Sequence, residues 1–276
     1  MDVNQLKTAA AEIRKLTIRA MATAGYGHIG GSMSICEVLA VLYEAVLNID
    51  PQNPGWEERD WVVLSKGHSG PALYAALAYK GYFDRALLDT LNQGGTRLPS
   101  HCDRLKTPGI DLSTGSLAQG VSLGIGAALG NRMKGLDNMV YIIVGDGELQ
   151  EGQVWEGVQF AAHRCMDNVV LIVDANKRQL DGYVKDICGS LDIVQKFEAF
   201  GWEALYTDGR DCGAIYGALI YAKQCKRPVA MILDTEKGQG CCFAEKAEFN
   251  HYMVITEAMA DEACAEIDRR LTEETQ

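Results

Sequence analysis

The chain has 276 residues, of which 47% are hydrophobic, and a formal net charge of −11. That length and apolar content allow one large α/β domain, while an acidic balance with no basic stripe excludes nucleic acid and anionic membrane as partners. A phosphate-bearing ligand would have to be held by a local device, a metal ion or a set of backbone amides.

The chain opens Met1-Asp-Val-Asn-Gln-Leu-Lys, with no charged-then-apolar leader, and no run of eighteen apolar residues follows, so a cytoplasmic protein is expected. From Asn4 to Met21, Leu6, Ala9, Ala10, Ile13, Leu16 and Ala20 recur at helical spacing, and the helix should end at Gly25-Tyr-Gly27. Ser34-Ile-Cys-Glu37 has the capping-box pattern, predicting a second helix whose apolar face is Ile35, Val38, Leu39, Leu42 and Val46 and which stops before Pro51. Trp61-Val-Val-Leu64 predicts a buried strand ending in Ser65-Lys-Gly-His68, followed by helix from Pro71 to Lys80. Gln93 to Gly115 is a polar connection long enough to suggest function. Ser116 to Met133 predicts a helix whose small residues, among them Gly120, Gly124 and Gly126, must be rewarded by close approach to a neighbour. Two β-branched runs, Met139 to Gly145 and Val169 to Ala175, then predict buried parallel strands. Leu191 to Phe200 (helix, closed by Gly201), Trp202 to Tyr206 (strand), Asp211 to Lys223 (capped helix), Pro228 to Leu233 (strand) and Thr256 to Leu271 (acidic helix) complete the chain. Strands alternating with helices throughout predict one α/β domain, a mostly parallel sheet with helices on both faces.

The two β-branched runs carry the chemistry. Each ends in an oxygen side chain, Asp146 and Asn176, thirty positions apart, the spacing of strand, crossover helix and strand. One charged and one neutral hard oxygen suit Mg²⁺ that keeps waters and a diphosphate. Gly-Asp-Gly alone is a common structural turn, but Gly145-Asp-Gly147-Glu148-Leu-Gln-Glu151-Gly152 lies between strand and helix, where glycines permit close approach and a helix N-terminus favours an anion. Of five histidines, His28, His68 and His101 sit in glycine- or proline-containing loops, a distribution that points to a shared polar cleft in which imidazoles donate hydrogen bonds and titrate near neutral pH. His163 reads as a structural mid-helix residue, and His251 is unassigned. The nine cysteines show no CxxC spacing, so buried reduced thiols are expected rather than disulfides or zinc, and Cys241-Cys242 carries no expected catalytic role.

These residues resemble the diphosphate-binding half of the transketolase family, over about Leu6 to Gly240. The family's Gly-Asp-Gly followed by Asn matches Gly145-Asp146-Gly147 and Asn176; its histidine loops match His28, Ser65 to His68, and His101 before Lys106-Thr107-Pro108-Gly109; Thr114-Gly115-Ser-Leu117-Ala-Gln-Gly120 resembles Thr-Gly-Pro-Leu-Gly-Gln-Gly. The resemblance implies a thiamine diphosphate-binding fold, the cofactor being held with Mg²⁺ (or Ca²⁺ or Mn²⁺ in its place) on Asp146, Asn176 and the Arg178 carbonyl. His68, Gly115, Ser116, Leu117, Gly145, Gly147, Glu148 and Leu180 would join Asp146 and Asn176 around the cofactor. His28, His68 and His101 would bind substrate oxygens and assist proton transfer. Glu151 would face an activating glutamate that the family carries on a separate pyrimidine-binding domain. Two departures stand out: Phe243 falls where a site histidine is expected after Gly238-Gln-Gly240, and residues 1–276 form one diphosphate-binding domain without the pyrimidine-binding and C-terminal domains. The resemblance thus implies the N-terminal subunit of a split transketolase, completed by a second polypeptide in a heterotetramer with two active sites. It would move a two-carbon ketol unit between sugar phosphates, as in pentose phosphate chemistry. The alternatives are another two-chain thiamine enzyme, such as a 2-oxoacid dehydrogenase component or a synthase, which the three histidines disfavour, and a non-catalytic cofactor-binding subunit.

Overall fold

The structure, a computed structural model, describes residues 2–275. Five strands form one parallel sheet: β1 (Trp61–Leu64), β2 (Val140–Gly145), β3 (Val169–Ala175), β4 (Glu203–Asp208) and β5 (Val229–Asp234), in the order β1-β2-β3-β5-β4. The register pairs Gly145 with Asp174 and Ala175 with Asp234, so the carboxyl ends of the three central strands lie in one row. Successive side chains point to opposite faces. In β3, Val170 and Ile172 accordingly join one core with the long helix Val3–Ala24, while Val169, Leu171 and Val173 join the other with helices Gln119–Met133 and Gly152–His163. Burial on both faces explains why β1, β2, β3 and β5 are apolar runs, while the edge strand β4 is mixed and only partly buried.

Most element expectations hold, with boundaries moved by caps. Asp2 caps the first helix, its side chain accepting from Asn4 N at 2.9 Å. Asp192 caps Ile193–Ala199 through Gln195 N, which moves the start of that helix past Leu191. Asp211 caps Cys212–Gln224 as predicted. The acidic C-terminal helix runs Glu257–Thr275. His163 is the exposed last residue of its helix rather than an interior one.

The capping box at Ser34 does not form. Ser34 ends the short helix Ile29–Met33, the chain resumes helix at Cys36–Val41 and continues as π-helix over Leu42–Val46. The Ser34 hydroxyl donates to Asp174 at 2.6 Å, and Glu37 takes Arg14 at 2.5 Å, so long-range partners claim both capping side chains. The stretch Ile29–Val46 is apolar and long enough to cross a membrane by composition, but 89% of it is buried within the fold. The glycine-bearing helix Gln119–Met133 does approach closely: a Cβ at Gly120 would lie 2.6 Å from the Ser65 Cα, and one at Gly124 2.7 Å from Ile142. Gly126 is exposed, with nothing near it. All nine cysteines are free thiols, but Cys165 and Cys188 are exposed rather than buried.

Candidate functional site

Ligands of parallel α/β sheets bind beyond the carboxyl ends of the strands. Here those ends carry Lys66 after β1, Asp146 after β2, Asn176 after β3 and Lys237 after β5, and all four line one cavity of about 390 Å³. Beneath it lies a fully buried carboxylate, Asp174. It accepts from the Lys66 ammonium, from Ser34 Oγ (2.6 Å), from Thr235 Oγ1 (2.5 Å) and from Asn176 Nδ2 (2.8 Å). Burial alone would raise its pKa; the charge of Lys66 and the hydrogen bonds from Lys66, Ser34 and Thr235 outweigh that and hold it below the ordinary aspartate value.

The bond from Asn176 Nδ2 to Asp174 sets the amide so that Oδ1 faces away from the hub, where it accepts only a long 3.2 Å bond from Arg178 N. Asp146 is buried as well, its oxygens accepting from Gly147 N (2.8 Å) and Lys177 N (2.6 Å). Burial, then the negative charge of Asp174, push its pKa up to about 7. A carboxyl in that state is one that a cation would relieve. Among the described residues no three His, Cys, Asp or Glu side chains group as a metal site. The oxygen donors on offer are one carboxylate, one amide and one backbone carbonyl, that of Arg178, which suits a hard cation whose remaining ligands come from a bound molecule.

Four histidines, not three, converge on the cavity. Ring centroids are 5.5 Å apart for His28 and His68, 5.8 Å for His28 and His101, 5.3 Å for His28 and His251, and 4.9 Å for His68 and His251. His28 and His251 meet because Tyr26–Gly27 pairs antiparallel with Met253–Val254 and Gly30 packs on Asn250, whose carbonyl is 2.5 Å from where a Cβ at Gly30 would lie. Phe243, expected to stand in a histidine's place, instead packs half-buried on the core from within the short helix Cys242–Lys246. The chain then turns back, Asn250 Nδ2 donating to Lys237 O (2.7 Å) and Ala244 O (2.9 Å), and delivers His251.

Three of these imidazoles, His28, His68 and His251, are held well below the ordinary histidine value. Burial, then His101 and Lys237, push His28 down to about 4; burial, then Lys237, His28 and Lys66, take His251 to about 3; burial, then Lys66 and its neighbours, take His68 to about 2. Burial lowers His101 too. Neutral imidazoles beside two lysines make a cavity ready for anions inside an acidic protein.

The sequence-derived residues are brought together almost completely: His28, His68, His101, Gly115, Leu117, Gly145, Asp146, Gly147, Glu148, Glu151, Asn176, Arg178 and Leu180 all line the cavity, and Ser116 is exposed beside it. Glu148 has an internal task. Its oxygens accept from Ser65 Oγ, Ala118 N (2.7 Å) and Gly145 N (3.1 Å), tying three loops together, so it offers little to a ligand. Glu151, Leu117 and Leu180 are exposed at the mouth, the Glu151 carboxylate without a partner among the described residues. Sequence reasoning missed Lys66, Asp174, Lys237 and His251. A signal existed for the first three: a buried charge within or at the end of an apolar strand must be paired or serve a ligand.

The family described as "Transketolase, thiamine diphosphate binding domain" matches residues 5–270. The 6-deoxy-6-sulfo-D-fructose transketolase subunit SqwG of Clostridium sp. (strain MSTE9) is 50% identical over 96% of both chains. A subunit of the apulose-4-phosphate transketolase of Phocaeicola vulgatus is 33% identical, covering 98% of this chain and 96% of its own. The solved transketolase of Campylobacter jejuni superposes with a TM-score of 0.91 at 29% identity; this chain is covered to 97% but spans only 43% of that one.

Proposed function

Because the chain belongs to the transketolase thiamine diphosphate-binding family, we propose that it is the cofactor-binding subunit of a two-chain transketolase, transferring a two-carbon ketol unit from a ketose to an aldose. The observation that carries this reading is the convergence of Asp146, Asn176, Lys66, Lys237 and four histidines on one cavity, in a chain that matches transketolase subunits along 96% of their length.

Bound thiamine diphosphate supplies the nucleophilic carbon and electron sink that hold the ketol fragment. The chain's own residues bind and orient. Asp146, Asn176 Oδ1 and the Arg178 carbonyl would hold Mg²⁺, and the two lysines would face the diphosphate charge. An anion and its cation entering together restore charge balance around Asp146 and the lysines. The histidines, neutral at pH 7, act as hydrogen-bond partners of sugar hydroxyl and carbonyl oxygens; an incoming anion raises their proton affinity, so a proton held during turnover belongs to the loaded site. The unpartnered Glu151 at the mouth supports a facing group supplied by a second polypeptide that carries the pyrimidine-binding domain, and we extend this to a heterotetramer with two sites.

For the sugar, the 50% relative that acts on 6-deoxy-6-sulfo-D-fructose favours a ketose ending in a sulfonate over the sugar phosphates expected from sequence. Removing C1 and C2 from such a hexose leaves a four-carbon sulfo-aldose. The test mixes the chain with its partner subunit, thiamine diphosphate and Mg²⁺, and compares 6-deoxy-6-sulfo-D-fructose with xylulose 5-phosphate as donor to an aldose phosphate acceptor. Transfer only in the two-chain mixture, faster from the sulfo-sugar, is expected. Transfer by this chain alone refutes the split site, and a preference for xylulose 5-phosphate refutes the sulfonate assignment.

A further inference from the structure

The Lys237 ammonium lies against three acceptors: the Arg178 carbonyl at 3.3 Å, the Gln179 carbonyl at 3.1 Å and Nδ1 of His251 at 3.1 Å. An ammonium has three protons and no lone pair. Two protons go to the carbonyls, and the third is satisfied only if Nδ1 carries a lone pair; a proton on Nδ1 would set N–H against N–H. In the neutral ring the proton is then on Nε2. No hydrogen bond engages Nε2 among the described residues, and the ring lines the cavity against His28 and His68. Asn250, donating to the Lys237 carbonyl at 2.7 Å, holds the two residues to each other.

We infer that Lys237 is a positioning residue that locks His251 in the Nε2–H tautomer and so makes it a fixed hydrogen-bond donor toward a carbonyl or hydroxyl oxygen of the sugar. A carbonyl accepting the ketol unit becomes an alkoxide, and a donor aimed at that oxygen stabilises the change. The other tautomer would present a lone pair to the developing negative charge. Burial, then Lys237, His28 and Lys66 around the ring, oppose a second proton on it, which keeps the tautomer well defined. The part in turnover rests on the ketol-transfer reading above; the tautomer does not.

The test is a long-range ¹H–¹⁵N spectrum of the full chain labelled at histidine, free of cofactor, with His251 assigned by its loss in His251→Asn. The wild type should show His251 as Nε2–H, and Lys237→Met should turn it into a mixture or into Nδ1–H. In the two-subunit enzyme at saturating cofactor, Lys237→Met should lower kcat by about tenfold or more, since the wrong tautomer removes a donor. A wild-type ring protonated at Nδ1, or an Nε2–H tautomer that survives Lys237→Met, overturns the inference. Absence of ketol transfer with the Nε2–H signal present would instead count against the proposed reaction.

Discussion

Replacing Asp174 with Asn keeps its size but leaves the Lys66 ammonium, whose side chain is only 2% exposed, without a counter-charge. Removing one member of a buried pair costs about 3–5 kcal/mol, because the remaining charge stays desolvated. Three of the four hydrogen bonds that meet at Asp174 end on Oδ2, where an Asn oxygen would keep them, and the Thr235 hydroxyl can accept from the new N–H₂, so the loss is that of the charge. At roughly 2–4 °C per kcal/mol for a domain of this size, the melting temperature should fall by roughly 6–20 °C. Lys66→Met alone leaves the carboxylate uncompensated and should cost a similar amount. The double variant leaves no unpaired charge, so it should be more stable than the sum of the singles implies, with a coupling of about 2–3 kcal/mol. The assay is urea and thermal unfolding of the full chain without cofactor, which keeps ligand binding out of the comparison. A loss below about 1 kcal/mol for Asp174→Asn, or singles that simply add, would refute the hub.

His68 should cost stability as pH drops below about 6.5, the histidine value in the unfolded chain, because its ring, held to about 2 by burial and Lys66, stays neutral while the unfolded ring takes a proton. At pH 5 that one residue costs about 2 kcal/mol, from 1.36 kcal/mol per unit of pH, against an opposing gain from Asp146, whose raised value of about 7 stabilises the fold as it takes up a proton; His68→Asn should therefore lose less stability than the wild type between pH 7 and pH 5, and equal losses in the two would contradict it. Asp146→Ala should raise the Kd for thiamine diphosphate in the presence of Mg²⁺ by more than about tenfold, since the set has no other carboxylate; calorimetry showing unchanged, Mg²⁺-dependent binding would place the metal elsewhere. Gly120→Ala should destabilise by about 1–3 kcal/mol, because its Cβ meets the Ser65 backbone at 2.6 Å, whereas Gly126→Ala, with nothing nearby, should stabilise the isolated chain by up to about 1 kcal/mol. Equal effects at the two positions would mean that this helix does not pack as described.

How much of this was legible depended on distance along the chain. The strands were readable because burial on both faces demands continuous β-branched runs, and Asp146 with Asn176 because one βαβ unit joins them. The loop histidines showed themselves by their glycine neighbours, although nothing local says that His28 and His101 come within 5.8 Å. Lys66 and Asp174, 108 positions apart, form a pair no window of sequence contains. His251 was hidden by an assumption of register. The short helix Cys242–Lys246 inserts between the glycines and the histidine, so the position counted out from Gly240 landed on Phe243.

The errors have a common physical origin, and it points at the site. Ser34 and Glu37 satisfy a capping rule locally, yet Asp174 and Arg14 take them. Ala118 and Lys177 adopt left-handed backbone, φ 68° and 69°, which costs a non-glycine residue about 1–2 kcal/mol. Each then donates its amide to a site carboxylate, Ala118 to Glu148 at 2.7 Å and Lys177 to Asp146 at 2.6 Å. Such strain persists only where surrounding contacts over-determine it. The contacts here are those that fix the two carboxylates following β2, so local preference gives way where the geometry of the cavity needs it to.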